Sequence, residues 1–146
     1  MDYFSSGGVR IAYIDQMPEA GVGDPVVLLH GFASTHRVNW IDTSWVSTLT
    51  RAGYRVIALD HRGHGQSDKL YEPEAYDPEV MAKDVIALLD HLHLVKADLI
   101  GYSMGARIAA MAALHFPDRV RSVILGGLGI HLVEGQGLPP GIAEAL

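Results

Sequence analysis

A serine in the segment Gly101-Tyr102-Ser103-Met104-Gly105 constrains the fold of this chain more than any other feature. The segment joins the apolar residues 97–102, which are typical of a buried strand, to the alanine-rich residues 104–116, which are typical of a helix. A sharp turn from a strand into a helix needs small flanking residues, and the two glycines provide them. We therefore predict that Ser103 lies at such a turn, with its hydroxyl above the edge of the sheet at the start of the helix.

Strand and helix patterns alternate along most of the chain. Five segments predict strands: residues 9–15, in which apolar and polar residues alternate, and residues 26–30, 55–60, 97–102 and 119–125. Three further segments predict helices: residues 45–52, a segment that begins at Asp77-Pro78, and residues 104–116. Alternation of this kind is typical of parallel strands joined by crossover helices. We predict an α/β fold with a mostly parallel sheet and flanking helices.

The composition excludes several classes of protein. The 146 residues include no cysteine, so the chain has no disulfide framework, thiolate metal site or cysteine nucleophile. The 17 acidic and 11 basic side chains give a net charge of -6, which argues against a general nucleic-acid binder. The longest apolar stretch, residues 108–114, is too short to span a membrane, and the first residues lack the pattern of a secretion signal. We expect one globular domain in the cytoplasm, with no membrane span.

Two further motifs follow the predicted strands in a fixed order. His30-Gly31-Phe32 comes directly after the first buried strand, and residues 60–67, with the sequence DHRGHGQS, come after the second. Together with the glycine-flanked serine, these motifs make residues 9 to about 125 resemble the α/β-hydrolase superfamily. Agreement of three motifs with the strand and helix placement is far more specific than any one of them.

The resemblance implies a role for several residues. Ser103 would be the nucleophile, and the backbone N–H groups of Phe32 and Met104 would form the oxyanion hole. Four supporting residues would shape the loops on either side: His30, Gly31, Gly101 and Gly105. A serine rather than an aspartate at this position points to acyl chemistry, and away from epoxide hydrolases and haloalkane dehalogenases. The expected reaction is cleavage of an ester, thioester, lactone or related small acyl substrate, without a cofactor or metal.

Two other patterns suggest ligand sites, and neither is convincing. His61 and His64, close to Asp60, match the spacing of a metal motif, but in a loop we do not expect the two imidazoles to converge, and no third ligand is obvious. The glycines of residues 126–129 follow a strand as in a dinucleotide site. They lack the third glycine and the helix that such a site requires.

A base and an acid for Ser103 are not evident in the sequence. The residues after the serine include five with a suitable side chain, and none is assigned: His115, Asp118, His131, Glu134 and Glu144. Glu134 is a remote candidate for the acid. We therefore expect residues 1–146 to be the N-terminal part of a single α/β-hydrolase domain that stops before the cap and the C-terminal strands. Residues 126–146 would start the cap or lid connection, and the base and acid would lie outside this chain.

The sequence leaves the function of the chain and the state of one sheet edge open. The chain is either a serine hydrolase or a non-catalytic module that keeps the serine pocket for binding, and perhydrolase or C–C bond hydrolase chemistry would use the same nucleophile. As a consequence of the expected early stop, the strand at residues 119–125 would form an exposed apolar edge of the sheet. Such an edge favours self-association.

Overall fold

The computed structural model describes residues 1–127, which form a six-stranded sheet flanked by helices. The elements in chain order are β1 (Asp2–Ser6), β2 (Val9–Gln16), β3 (Pro25–Leu29), α1 (Trp45–Arg51), β4 (Arg55–Leu59), α2 (Pro78–His91), β5 (Ala97–Tyr102), α3 (Met104–His115) and β6 (Val120–Gly126). The predicted α/β fold and all eight predicted elements are confirmed. The expected connection from residue 128 onward lies outside the described residues, as do His131 and Glu134.

The sheet has the strand order β1-β2-β4-β3-β5-β6. Strands β4, β3, β5 and β6 run parallel, as the alternation of strands and helices predicts. Strands β1 and β2 form an antiparallel hairpin, and β2 also pairs antiparallel with β4. The sequence analysis did not predict β1.

The two faces of the central strands belong to two separate apolar clusters. Alternate residues of β3 and β4 pack toward α2 and α3: Val27, Leu29, Ile57 and Leu59. The residues between them pack toward α1: Val26, Leu28, Val56 and Ala58. Because successive side chains of a strand point to opposite faces, a continuous apolar run is buried on both sides.

The register of the parallel strands brings the three motifs together. Leu29, the last residue of β3, pairs with Leu59 of β4 and with Gly101 of β5. The loops that start at His30 and at Asp60, and the turn at Ser103, therefore leave the same edge of the sheet side by side. Ligands of open α/β sheets bind at this carboxyl edge.

Strand β6 lies at the edge of the described sheet. Within residues 1–127 it pairs with β5 alone, and three of its apolar residues are exposed: Val123, Ile124 and Leu125. The exposed apolar edge is therefore present, while self-association through it stays a prediction. No helix in the described part of the chain is long and apolar enough to cross a membrane.

A buried ion pair fastens the loop after β4 to α2. The Arg62 guanidinium donates from Nε and Nη2 to the two carboxylate oxygens of Asp84, each at 2.7 Å. Asp84 is 1% exposed, and it also accepts a hydrogen bond of 2.6 Å from the Ser6 hydroxyl. Arg62 Nη1 donates to the Ala75 carbonyl. The resemblance gives the loop a structural role, and these contacts show that it is held to α2 and to the turn before it.

Removing one member of this pair should be costly. We expect Arg62→Met to lower the free energy of unfolding by about 3–5 kcal/mol, because the Asp84 carboxylate would stay buried without its partner. The double variant Arg62→Met/Asp84→Leu should recover much of the loss, since no charge then remains buried. Urea unfolding measures both values.

Arg121→Met is the matched control. Arg121 also binds a carboxylate, that of Asp98, but the Arg121 side chain is 46% exposed. Exposed pairs contribute little to stability, so this variant should unfold almost like the parent protein. Equal losses for Arg62→Met and Arg121→Met would contradict the prediction.

Candidate active site

Ser103 lies at the turn between β5 and α3, where the sequence predicts it. Its φ is +54° and its ψ is -115°, a conformation that non-glycine residues rarely adopt and that costs about 1–3 kcal/mol. Two sets of backbone hydrogen bonds hold it: the Ser103 N–H donates to the Gly126 carbonyl at 2.8 Å, and the Ser103 carbonyl accepts from the N–H groups of Ala106 and Arg107. The turn is therefore fixed from the sheet and from the helix.

Gly101 and Gly105 make this turn possible. A Cβ atom on Gly105 would overlap the backbone of Leu29 and His30, and one on Gly101 would overlap the backbone of Gly105. The first turn of α3 consequently packs directly on the end of β3. The predicted need for small residues at both positions is confirmed, and it arises from contacts between backbones rather than from the turn alone.

The loop after β3 passes beside the serine. A Cβ atom on Gly31 would lie 3.5 Å from Ser103 Cβ and 3.3 Å from Tyr102 Cδ1, so the two backbones are close neighbours. The Gly31 N–H donates to Asn39 Oδ1 at 2.7 Å. Sequence analysis missed Asn39, because a contact within an irregular loop leaves no periodic signal.

The backbone N–H groups of Phe32 and Met104 are among those at this place that have no hydrogen-bond partner within residues 1–127. Met104 is the first residue of α3, and amides at the start of a helix carry partial positive charge. Free amides beside a hydroxyl are the arrangement that stabilises a negative oxygen formed at that hydroxyl. These are the two residues that the resemblance assigns to the oxyanion hole, and that role stays a prediction.

Three imidazoles lie close together where the loops after β3 and β4 begin. The ring centroid of His30 lies 4.4 Å from that of His61 and 5.2 Å from that of His64, and the centroids of His61 and His64 are 6.4 Å apart. The spacing of His61 and His64 in the sequence did not indicate that His30 would join them. Within residues 1–127, no group of three side chains is arranged to hold a metal ion.

Hydrogen bonds fix the protonation of His30. Its Nδ1–H donates to the Gly31 carbonyl at 2.7 Å, and its Nε2 accepts from the His61 N–H at 3.0 Å. Burial lowers the pKa of His30 to about 4, against the opposing effect of the Gly31 bond. Burial also lowers the pKa of His61 well below its ordinary value, with His30 and His64 adding to the effect. His30 and His61 are therefore neutral near pH 7.

Asp60 is the charged counterpart in this region. It is buried, which by itself would raise its pKa, but hydrogen bonds from the side chain and N–H of His36 and from the Gln66 N–H outweigh burial and lower the pKa of Asp60. These bonds tie the loop after β4 to the start of the π-helical turn Arg37–Ile41. Asp60 thus acts as a structural anion.

No base for Ser103 is present in the described part of the chain. The histidines at the carboxyl edge are hydrogen-bonded to groups of the loops after β3 and β4. His115 ends α3, about 18 Å along the helix from Ser103, and lies 4.0 Å from Glu79. Asp118 lies beyond the same end. Both therefore lie at the opposite end of α3 from Ser103.

An apolar cleft of about 390 Å³ opens beside the serine turn. Its walls include Trp40, Trp45 and Ile124, and its floor includes Gly101 and Tyr102 at the end of β5. Because Ser103 follows Tyr102 directly, an apolar group in this cleft would lie close to the serine.

The neutral histidines predict acid-sensitive stability. The unfolded chain binds a proton at His30 below about pH 6.5 while the folded chain does not, so stability is present above pH 6.5 and is lost as the pH falls toward about 4. His30 alone should lower the free energy of unfolding by about 2 kcal/mol between about pH 7.5 and about pH 5. Urea unfolding at the two pH values measures it. A titration of the His30 ring near pH 6.5, followed by NMR of the folded protein, would contradict the prediction.

Comparison with known proteins identifies relatives of this chain. It is 38% identical over 119 residues to bifunctional epoxide hydrolase 2 of Sus scrofa, covering 80% of this chain and 20% of the relative. It is 40% identical over 126 residues to the dihydrolipoyllysine-residue acetyltransferase component of the acetoin cleaving system of Pseudomonas putida, covering 84% and 32%. Among solved structures, epoxide hydrolase A from Mycobacterium thermoresistibile matches with a TM-score of 0.76 and 35% identity, covering 85% and 37%.

The chain thus spans a fifth of the length of the first of these curated relatives and about a third of the second. The family model for the alpha/beta hydrolase fold matches residues 24–136, which include all three motifs. Together with the parallel sheet and the serine turn, this match shows that the chain belongs to the α/β-hydrolase fold family.

Proposed function

We propose that this chain carries the nucleophile and oxyanion hole of a serine hydrolase that acts on an ester, thioester or related acyl compound. The observation that carries the proposal is the strained Ser103 turn beside the unpaired N–H groups of Phe32 and Met104. A strained residue held by its surroundings is a feature of functional sites.

The chemistry of a serine favours acyl substrates over epoxides. Attack of Ser103 Oγ on a carbonyl carbon releases the leaving group and leaves an ester, which water cleaves to free the serine. Attack on an epoxide carbon would open the ring and leave an ether. Water does not cleave an ether under mild conditions, so the serine would be used up in one event.

The names of the relatives do not decide between these chemistries. Two of the three matches reported above are named as epoxide hydrolases, and the third is named as an acetyltransferase component. Their identities to this chain lie between 35% and 40%. The residue at the turn is therefore a better guide to the reaction than the names.

In the proposed mechanism, the carbonyl oxygen of the substrate becomes negative as Ser103 attacks. The N–H groups of Phe32 and Met104 donate to this oxygen, and the start of α3 adds its partial positive charge. An apolar acyl group occupies the cleft beside Trp40 and Tyr102. The histidine that takes the serine proton, and the carboxylate that orients it, come from outside the described residues.

A fluorophosphonate probe tests the nucleophile directly. Ser103 Oγ displaces fluoride from the phosphorus, and the product mass identifies the modified serine. We expect labelling at Ser103 and its loss in Ser103→Ala. Ser5→Ala, which changes an exposed serine in β1, is the control and should label like the parent protein.

A form extended beyond Leu146 should be tested in parallel. Labelling only in the longer form would show that the turn is competent and that the base lies beyond residue 146. If Ser103 labels in neither form, the catalytic proposal fails and the alternative, a non-catalytic binding module, is favoured.

A second test separates acyl from epoxide chemistry. We expect the form of the protein that reacts with the fluorophosphonate to release p-nitrophenol from p-nitrophenyl acetate. The reaction should pass through an acetyl ester on Ser103, and mass spectrometry detects this ester. With styrene oxide we expect no turnover, because the ether product is stable. Catalytic formation of the diol by the parent protein, together with its absence in Ser103→Ala, would contradict the acyl assignment.

A further inference from the structure

His64 lies within the loop after β4, yet it holds a residue of the loop after β3. The side chain is buried, and its Nδ1–H donates to the Arg62 carbonyl at 3.0 Å. Its Nε2 accepts a hydrogen bond of 3.1 Å from the Ala33 N–H. The ring can make both bonds only in the neutral form with the proton on Nδ1. The proposed mechanism gives this residue no role.

The residue that His64 holds is the one after Phe32. Ala33 has a φ of +57°, an unfavourable conformation for alanine, so an external contact is needed to keep it there. The ring of His64 also packs edge-on against the ring of Phe32, with centroids 6.2 Å apart. His64 therefore contacts Phe32 through its ring and the following amide through its Nε2.

A second bond holds the other side of the same turn. The Gly31 N–H donates to Asn39, and the Ser34 N–H donates to the Gly31 carbonyl at 3.3 Å. These contacts fix the positions before and after Phe32 and Ala33 but leave the peptide between them to His64. Among residues 1–127, His64 is the only side chain that accepts a hydrogen bond from the Ala33 N–H.

We propose that His64 is a positioning residue for the oxyanion hole: it accepts the Ala33 N–H and packs on Phe32, and so aims the Phe32 N–H at the substrate oxygen. The inference rests on the proposed function, because the Phe32 N–H has a negative substrate oxygen to stabilise only if Ser103 attacks a carbonyl group. It predicts that His64 affects the transition state of the Ser103 reaction more than it affects probe binding.

Two substitutions separate the hydrogen bonds from the packing. His64→Phe keeps a ring against Phe32 but cannot accept from Ala33 or donate to Arg62. His64→Gln offers an amide oxygen and an N–H group, so it can restore both bonds. His36→Phe is the matched control, because it also removes a buried histidine bond, to Asp60, without touching the Phe32 turn.

The kinetic readout is the rate of fluorophosphonate labelling as a function of probe concentration. We expect His64→Phe to lower the maximal rate about tenfold or more while the half-saturating probe concentration stays constant. Complete loss of one oxyanion-hole donor lowers kcat about 10²–10³-fold, and a donor in the wrong orientation should lower the rate by a smaller factor. Provided that both variants are folded, His64→Gln should recover most of the labelling rate, and His36→Phe should be labelled at the rate of the parent protein.

Hydrogen exchange gives a readout that does not need a reaction. In His64→Phe the Ala33 amide should exchange at least tenfold faster, and in His64→Gln and His36→Phe it should stay protected. If Ser103 never labels in any form, the proposed function fails, and amide exchange still decides whether His64 holds the turn. Unchanged exchange at Ala33 together with an unchanged labelling rate in His64→Phe would overturn the inference.

Discussion

The contact on which the site depends is the one between the first turn of α3 and the backbone at the end of β3. Gly105 lies so close to Leu29 and His30 that no side chain fits between them. This approach puts the start of a helix, with its unpaired amides, at the same height as the loop that leaves β3. The positive φ of Ser103 is energetically unfavourable, and this strain results from the turn of the chain from β5 into α3 in so little space.

The loops around this contact are held by polar groups that are buried rather than exposed. Neutral histidines and one carboxylate, Asp60, link the loop after β3 to the loop after β4, and the Arg62–Asp84 pair links the latter to α2. Most polar atoms in these links are paired, although His36 Nε2 and His61 Nδ1 are buried without a partner within residues 1–127. A buried polar atom favours the geometry that completes its bonds, and a fixed geometry is what an oxyanion hole requires.

The sequence predicts those parts of the structure that depend on local pattern. Continuous apolar runs identify β3 and β4 because both faces of these strands are buried, and Pro78 marks the start of α2. Asp77 lies at the N-cap position of α2, although its side chain makes no capping hydrogen bond. The glycine-serine segment predicts the turn because backbone contact leaves no other choice of residue.

Contacts between distant loops could not be predicted in the same way. Asn39, His36 and Asp84 each bind a partner through one side-chain group, and no periodicity or spacing marks them in the sequence. The pairing of His64 with Ala33 joins positions 31 residues apart. Strand β1 was missed for a related reason: it is short, with the sequence DYFSS, and only Phe4 and Ser6 are buried.

Under the proposed function, the described residues carry one half of a catalytic apparatus. They would supply the Ser103 hydroxyl and the backbone dipoles at the start of α3 that stabilise charge. They would not supply proton transfer, because each histidine of residues 1–127 at the carboxyl edge uses at least one ring nitrogen to hold a loop. The two tasks demand opposite environments: dipoles work best when buried and immobile, whereas a base must change its charge during each cycle. Burial lowers the pKa of His30 to about 4, which suits this histidine to the first task and not to the second, so the proposed mechanism takes its base from a separate and less buried histidine.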